Sequence, residues 1–379
     1  MRELKKALVL ASTLAFTAGY TASASAETLQ TRWADIQVET LSEGLNHPWG
    51  IAFLSNGRML VTERAGHMRI VESDGNKGDP IEGLPEIKVM RQGGLMDVKL
   101  SPDYENDQII YFSYSEPESE GSEITSTAVA KARLQDNTLH DLEVIFSQYP
   151  KEQGGRHYGG RMIFSADGEY LFLGLGDRGD RQDDAQTLDN HTGKLIRIYP
   201  DGSVPEDNPF VGEEGAQPEI WSYGHRNIQG MDIQPDTGLM WAVEHGPQGG
   251  DEVNLPEAGK NYGWPVVTHG EQYGGGEVGI GFDKEGMELP VWHWTPSIAV
   301  SGMAFYDGNQ FPAWQGNILA TGLRGQNLAR LEMDGDRVIH EEDMDLGQRI
   351  REVRIGPDGN IYLLTDHENG KILRLSPAE

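Results

Sequence analysis

The chain has 379 residues, 48 glycines, 19 prolines and no cysteine, and its formal net charge is −29. The lack of cysteine excludes disulfides, thiolate metal sites and a cysteine nucleophile. The acidic charge argues against nucleic acid and anionic lipid as partners, and the many glycines and prolines predict frequent turns and few long helices.

Residues 1–26 have the pattern of a secretory signal peptide. Basic residues precede an apolar run over residues 7–20, and Ala24, Ser25 and Ala26 provide the small side chains of a cleavage site. The run is too short to span a bilayer, which needs about 20 apolar residues, and no later run approaches that length. We therefore predict a periplasmic or secreted protein without membrane insertion. The signal carries a net charge of +2, so the mature part carries −31, against −29 for the whole chain.

One strand-turn-strand pattern recurs six times in the mature chain. Each copy has two short apolar runs on either side of a turn, and Asn-Gly or Asp-Gly in several of the turns is typical of β-hairpins. A recurrence at this spacing indicates a repeat architecture. The predicted strand pairs are Gly50–Leu54 with Met59–Thr62, Leu95–Leu100 with Ile109–Tyr114, Arg161–Phe164 with Tyr170–Leu173, Gly230–Ile233 with Leu239–Val243, Gly302–Tyr306 with Asn317–Thr321, and Glu352–Ile355 with Ile361–Thr365.

Third strands follow several of these hairpins. They are predicted over His67–Ile70, Lys194–Ile198, Asn327–Leu331 and Lys371–Leu375. Each unit therefore supplies three or four strands, which is the make-up of a propeller blade, and stacked units bury faces that a single blade leaves open. The sequence predicts an all-β fold, a six-bladed β-propeller with four-stranded antiparallel blades around a central channel, as one domain over residues 27–379. A two-sheet sandwich is the alternative, and six copies in the same phase disfavour it.

A spare strand over Ala34–Glu39 precedes the first copy. We expect it to pair as an outer strand with the last blade, because an open ring would expose an edge strand that promotes aggregation. This pairing would join the two ends of the chain and close the ring.

The phase of the repeat also predicts which polar residues meet. In a propeller, the first strand of each blade lines the channel and the second runs antiparallel to it, so residues before first strands and after second strands share one channel mouth. The polar residues in these positions are Gln92, His157, Arg226, Asn227 and Arg349 before first strands, and Asp177, residues 244–247 and Arg324 after second strands. Such a concave site favours a ligand-binding function. The alternative is that these residues cap loop carbonyls at the blade ends.

His157 and Asp177 form a candidate acid–base pair. The carboxylate can fix one imidazole nitrogen as a donor and leave the other free to accept a proton. The sequence contains no Gly-x-Ser-x-Gly motif, which argues against a serine hydrolase.

Two acidic segments are candidate cation sites. Residues 244–252 combine carboxylates with glycine-exposed carbonyls, the hard oxygen ligands that calcium prefers. Their spacing does not fit an EF-hand, so a solvated acidic loop is an equal alternative. The segment from Asp177 to Asn190 contains five aspartates, and we expect it to face water.

Six ordered motifs are spread over nearly the whole mature chain. They are Gln92-Gly93-Gly94-Leu95-Met96-Asp97-Val98, Arg156-His157-Tyr158-Gly159-Gly160-Arg161, Ile220 to Asn227, Glu244 to Glu252, Lys260-Asn261-Tyr262-Gly263-Trp264-Pro265 and Gly347-Gln348-Arg349-Ile350-Arg351. These motifs resemble those of the soluble aldose sugar dehydrogenases that depend on pyrroloquinoline quinone (PQQ). The resemblance implies a six-bladed propeller with PQQ over the channel mouth.

The resemblance implies a role for each matching residue. His157 would take the C1 hydroxyl proton of an aldose while hydride passes to C5 of PQQ, giving a lactone, and Asp177 would orient His157. The residues implied in PQQ binding are Gln92, Arg226, Asn227, Tyr273, Arg349, Arg351 and Arg324, the last in place of the family's usual lysine. The PQQ carboxylates would explain a basic pocket in an acidic protein.

The resemblance also implies calcium and a set of partners. The carbonyls of Gly246 and Pro247 would bind the calcium that polarises the quinone, and Glu252 with the Tyr262 carbonyl would bind a second, structural calcium. The implied partners are an aldose and a soluble electron acceptor, and we expect a monomer.

Two other functions remain open at this point. One is a calcium-dependent lactonase on a similar propeller, which would need a ring of carboxylates where arginines and amides are predicted. The other is a non-enzymatic propeller that binds a protein or a glycan through its loops.

Overall fold

The computed structural model describes residues 27–378, which form six antiparallel sheets, five with four strands and one with five. The signal peptide predicted over residues 1–26 lies outside this part. One short helix, α1 (Tyr104–Asp107), and 3-10 turns at Ser55–Gly57, Gln182–Gln186 and Pro312–Trp314 complete the regular structure of the described residues. No helix among them is long and apolar enough to cross a membrane.

The strands follow the chain blade by blade, after two N-terminal strands, β1 (Glu27–Leu29) and β2 (Ile36–Leu45). Blades one and two contain β3 (Pro48–Phe53), β4 (Met59–Glu63), β5 (His67–Val71) and β6 (Lys77–Pro80), then β7 (Leu95–Leu100), β8 (Ile109–Pro117), β9 (Thr125–Gln135) and β10 (Thr138–Ser147). Blades three and four contain β11 (Gly159–Phe164), β12 (Leu171–Leu175), β13 (Lys194–Ile198) and β14 (Ile220–Tyr223), then β15 (Ile228–Ile233), β16 (Met240–Glu244), β17 (Asp251–Asn254) and β18 (Trp292–Trp294). Blades five and six contain β19 (Val300–Phe305), β20 (Ile318–Gly322), β21 (Asn327–Asp334) and β22 (Arg337–Asp345), then β23 (Ile350–Ile355), β24 (Ile361–Thr365) and β25 (Gly370–Pro377).

The first strands of the blades form a closed inner ring. Each contacts the first strand of the next blade, in the order β3, β7, β11, β15, β19 and β23, and β23 contacts β3. This arrangement confirms the predicted six-bladed propeller and is incompatible with a two-sheet sandwich.

Neighbouring blades cover both faces of each sheet, so the second strands are buried on both faces. The second strands β4, β12, β16, β20 and β24 are buried along their whole length. Glycine permits the closest approach between first strands: a Cβ on Gly302 would lie 2.8 Å from the Cα of Glu352, and one on Gly230 would lie 2.8 Å from the Cβ of Met303. At these glycines, the backbone of one first strand therefore packs closely against the first strand of the adjacent blade.

Charged side chains on the first strands meet inside this ring. Arg161 on β11 is fully buried and pairs with Asp97 on β7 at 3.1 Å and with Glu352 on β23. Arg354, also on β23, lies 2.9 Å from Glu352. Because a buried charge without its partner is costly, these pairs couple blades two, three and six.

The last blade closes the ring through the N-terminal strands. β2 pairs with β25, with Ile36 opposite Pro377 and Val38 opposite Leu375, which confirms the predicted outer strand. The strand is longer than predicted, because its pairing with β25 continues to Leu45. β1 adds a fifth strand to the four of this blade, because it pairs with the outer edge of β2 and satisfies its backbone groups.

The closure can be tested at Ile36, which is fully buried in the core between blades five and six. Ile36→Ala should lower the free energy of unfolding by about 2–5 kcal/mol, because it leaves a cavity where β2 joins the ring. Urea unfolding measures the change. Glu43→Ala, at an exposed position of the same strand, is the control and should stay within about 0.5 kcal/mol of wild type. Equal unfolding midpoints for Ile36→Ala and wild type would contradict this account of the closure.

Candidate active site

A cavity lies at the mouth of the ring, and all six blades contribute to its lining. The residues come from the loops before first strands, from the starts of those strands, and from the positions after second strands. The sequence predicts four of the lining residues as ligand-binding, namely Gln92, Asn227, Arg349 and Arg351. It misses three others, Trp49, Arg64 and Gln229. Arg64 directly follows the second strand of blade one, so the phase of the repeat could have identified it.

The structure brings His157 and Asp177 together as predicted. His157 precedes β11 and Asp177 follows β12, and the register of these strands places the imidazole Nδ1 2.5 Å from Asp177 Oδ1. The backbone N–H of His157 donates to Gln92 Oε1 at 2.7 Å. The φ of His157 is +47°, a left-handed conformation that side chains other than glycine rarely adopt. The backbone and Gln92 thus fix where the imidazole stands.

Burial sets the protonation of this pair. It lowers the pKa of His157, and the nearby Arg226 guanidinium lowers it further, while the hydrogen bond with Asp177 opposes both effects without outweighing them. Burial alone would raise the pKa of Asp177, but the hydrogen bond with His157 holds it below its usual value. At neutral pH, Asp177 is therefore ionised and His157 is neutral, and with Nδ1–H donating to Asp177, Nε2 is left as a proton acceptor.

One carboxylate organises the cationic side of the cavity. Asp366 follows β24, and its Oδ2 accepts a hydrogen bond from Arg349 Nη2 at 2.8 Å. Arg351 lies 3.9 Å from the same oxygen, and Arg64 lies 3.8 Å from Oδ1. His47 Nδ1 is 2.9 Å from Oδ1. Three guanidiniums thus surround a single acid, which leaves this wall positive and suited to an anionic ligand.

Arg226 anchors the segment after β16. Its backbone N–H donates to Glu244 Oε2 at 2.6 Å, and its Nη1 donates to the His245 carbonyl at 2.7 Å. Its guanidinium lies 5.1 Å from the Trp264 ring centroid. Among the described residues, its buried Nε has no hydrogen-bond partner.

The predicted calcium ligands lie in two neighbouring places. The Gly246 carbonyl is 2.6 Å from His245 Nδ1, and the Gly246 N–H donates to Asp251 Oδ1 at 2.8 Å. Glu252 and Tyr262 line a small cavity together with Glu244. Burial and the adjacent Glu244 raise the pKa of Glu252 well above its usual value, and Arg226 lines the same cavity. No group of three or more acidic, histidine or cysteine side chains suited to a metal occurs in residues 27–378.

A serine, a histidine and a glutamate form a buried chain that resembles a hydrolase triad. Ser222 Oγ lies 2.8 Å from His225 Nε2, and His225 Nδ1 lies 3.0 Å from Glu244 Oε1. Ser222 and His225 are fully buried, and the His225 ring stacks on Tyr262 at 4.7 Å. No substrate can reach this serine, so the chain serves to hold Glu244 in place.

Three predicted cofactor-binding residues do not line the cavity at the mouth of the ring. Arg226 lines the small cavity with Glu244 and Glu252 instead. Tyr273 is 66% exposed in a glycine-rich loop, and Arg324 is exposed beside Leu323, which does reach the cavity. Their contacts with a cofactor stay predictions.

One known family matches most of the chain. Residues 45–374 match the family described as Glucose / Sorbosone dehydrogenase. The protein belongs to this family. It is 44% identical over 351 residues to an aldose sugar dehydrogenase of Escherichia coli strain K12, a match that covers 91% of this chain and 94% of the relative.

Solved structures of two sugar dehydrogenases are similar to this member of the glucose/sorbosone dehydrogenase family. The apo-form of the soluble aldose sugar dehydrogenase from Escherichia coli has a TM-score of 0.87 and 43% identity, covering 90% of this chain and 100% of that one. The PQQ-bound form of the aldose sugar dehydrogenase from Streptomyces coelicolor has a TM-score of 0.72 and 28% identity, covering 90% and 99%. The resemblance identified in the sequence is confirmed, and so is the prediction of an oxidoreductase of this class.

The arginine cluster makes the stability of the protein depend on Asp366. Burial would raise the pKa of Asp366, but the arginines hold it below its usual value. The ionised form of Asp366 therefore stabilises the folded state. Asp366→Asn should therefore cost about 3 kcal/mol at pH 7, because it leaves the buried Arg351 and the partly exposed Arg64 and Arg349 without their acid. The difference in the free energy of unfolding between Asp366→Asn and wild type should shrink as the pH falls below about 3.8, the usual pKa of the carboxyl, towards the lower pKa that Asp366 has in the folded protein.

Urea unfolding at pH 7 and pH 3 measures both effects. Asp334→Asn removes an exposed partner of Arg337 and is the matched control, with an expected change of less than about 1 kcal/mol. If Asp366→Asn cost no more than this control at pH 7, the cluster would not depend on its carboxylate.

Proposed function

We propose that this member of the glucose/sorbosone dehydrogenase family oxidises aldose sugars at C1 to the corresponding lactones, with PQQ and calcium as cofactors. The observation that carries the proposal is the pair of His157 and Asp177, a neutral imidazole held by an ionised carboxylate, next to Gln92 and Tyr158, which line a cavity with excess positive charge. A neutral imidazole at this place can accept the proton that an alcohol substrate loses on oxidation. The similarity to aldose sugar dehydrogenases of Escherichia coli and Streptomyces coelicolor supports the same activity.

The donor set of the cavity fits PQQ. The cofactor carries three carboxylates, and Arg64, Arg349 and Arg351 together present more positive charge than Asp366 neutralises. Arg351 remains a cation although burial lowers its pKa to about 10. Gln92 and Asn227 add amide groups at the same mouth. We propose that these residues hold the cofactor, with Arg226 offering its unpartnered Nε.

Calcium fits the segment after β16 by its chemistry. The carbonyls of Gly246 and Pro247 are hard oxygen ligands beside Arg226 and His245, and we propose them for the cation near the cofactor. Glu252 and the Tyr262 carbonyl are proposed for a second, structural cation. The raised pKa of Glu252, caused by burial and by Glu244, supports this choice because a bound cation would relieve the repulsion.

The chain's own residues would move one proton. His157 Nε2 accepts the proton of the C1 hydroxyl, while its Nδ1–H donates to Asp177, whose negative charge stabilises the imidazolium that forms. When bound, PQQ supplies a quinone that takes up the hydride from C1, and calcium supplies positive charge beside it. The burial of Asp177, which is 1% exposed, keeps water from weakening this ion pair.

Three further points belong to the proposal. The electrons taken from the sugar must leave the protein, which calls for a soluble electron acceptor. The signal peptide predicted over residues 1–26 supports a periplasmic or secreted enzyme. We also propose that the enzyme is a monomer, and that Tyr273 and Arg324 approach the cofactor when it binds.

Reconstitution tests the activity and the cofactors together. Purified apoprotein should reduce a redox dye with glucose or another aldose only after PQQ and calcium have been added, and a chelator applied before PQQ should prevent the gain. Dye reduction and the absorbance change of the bound quinone on addition of sugar are the measurements. Lactone hydrolysis without PQQ, or no dye reduction with any of several aldoses, would refute the proposal.

The role of His157 is tested by removing its imidazole. His157→Ala should still bind PQQ but lose turnover by about 10² to 10⁴, the usual contribution of a positioned base. In the wild-type enzyme, kcat/KM should fall as the pH drops through the pKa of His157, because only the neutral imidazole can accept a proton. His140→Ala, at an exposed position on β10, is the control and should keep full activity. Unchanged turnover in His157→Ala would exclude His157 as the base.

A further inference from the structure

Both oxygens of the Asp177 carboxylate are engaged. Oδ1 faces His157 Nδ1 at 2.5 Å and also accepts the Gly179 N–H at 2.7 Å. Oδ2 accepts the indole N–H of Trp264 at 2.8 Å. Within residues 27–378, this indole is the one donor found on Oδ2. The carboxylate therefore has a partner on the side opposite His157.

We infer that Trp264 is a positioning residue for the His157–Asp177 pair. Its indole N–H fixes the rotation of the carboxylate, so that Oδ1 stays aimed at His157, and it withdraws part of the negative charge from that oxygen. The inference rests on the proposed function, since it gives Trp264 a role in the proton transfer that His157 would perform.

Trp264 is suited to this role because it is held from several directions. Its backbone N–H donates to the Gly224 carbonyl at 2.8 Å, and its own carbonyl accepts a hydrogen bond from Gln186 Nε2 at 2.8 Å. Its ring is 7% exposed and packs with Ala185 and Val278. An indole fixed at both the backbone and the ring has little freedom to turn, so the direction of its N–H bond is set by the fold.

The surroundings of the pair are otherwise cationic. Arg226 and Arg156 both lower the pKa of His157, after the larger effect of burial. The charged and titratable groups that face the pair from neighbouring elements are Arg226, Arg156, Arg178 and His245. Of these, Arg226 also lies 5.1 Å from the centroid of the Trp264 ring, so the test variant has to keep an aromatic ring at position 264.

The loss of the Trp264 N–H should change the pKa of His157 in one direction. Without a donor on Oδ2, more of the negative charge of the buried carboxylate remains on Oδ1 beside the imidazole, which stabilises the protonated form of His157. The pKa of His157 should therefore rise. The carboxylate also becomes free to rotate, so the imidazole is oriented less well and turnover should fall.

The test is Trp264→Phe, which removes the N–H and keeps an aromatic ring against Ala185 and Val278. In the apoprotein, the 13C-labelled histidine resonance of His157, assigned by its disappearance in His157→Ala, should titrate at higher pH than in wild type. In the reconstituted enzyme, the acid limb of the kcat/KM profile should move to higher pH, and kcat should fall by about 10-fold to 100-fold. The affinity for PQQ should not change.

Trp294→Phe is the matched control. Its indole donates to Glu341 Oε1 at 2.7 Å, the side chain is 5% exposed, and it lies on an outer strand of blade four. This variant should leave the His157 titration and the pH profile as in wild type. An unshifted His157 titration in Trp264→Phe, or the same shift in Trp294→Phe, would overturn the inference.

A measurement on the unsubstituted site covers the case in which Trp264→Phe does not fold. With 15N-labelled tryptophan, one of the eight indole signals of wild-type protein should move as His157 titrates, and Asp177→Ala should abolish that movement. Eight signals that all stay constant through the titration would overturn the inference. Because the apoprotein suffices, these outcomes can be told apart from a failure of aldose oxidation.

Discussion

The close packing of six first strands around one ring is the constraint on which the rest of the structure depends. Backbone approaches the next blade so closely that a Cβ on Gly230 or Gly302 would lie within 2.8 Å of it. The blades therefore cannot tilt or slide independently, and the loops at one end of the ring must converge. β2 completes this geometry by pairing with β25, since the ring closes only when the two ends of the chain share a blade.

Convergence explains how a strongly acidic chain can contain a positive cavity. The net charge of −29 is spread over the surface, where water screens each charge, whereas Arg64, Arg349 and Arg351 are drawn together around one acid at the mouth of the ring. In a partly buried site that water screens poorly, such a local excess acts on a ligand far more strongly than the distant surface charge. The overall charge of a protein thus says little about the sign of its binding site.

The acid–base pair depends on residues from different parts of the fold. His157 and Asp177 come from blade three, while Trp264 comes from the connection between β17 and β18 in blade four. The chain from Ser222 through His225 to Glu244 then holds the segment that Arg226 anchors. The groups that would touch substrate are few, and a larger set of buried hydrogen bonds fixes their direction.

The sequence by itself determined the propeller, because six in-phase hairpins leave few other ways to bury their apolar faces. It also determined that Gln92, His157, Asp177 and Asn227 meet, because the phase of the strands fixes which blade ends share a channel mouth. The phase of the repeat also places Arg64 and Asp366 at this mouth, because both directly follow second strands, although neither was predicted as a site residue. Only the tertiary structure decided the roles of Trp264 and β1, and the exposed positions of Tyr273 and Arg324. Trp264 and Tyr273 lie in a long connection outside the repeat, where spacing along the chain carries no information about position in space. Their places follow from packing and hydrogen bonds that form only once the ring has closed.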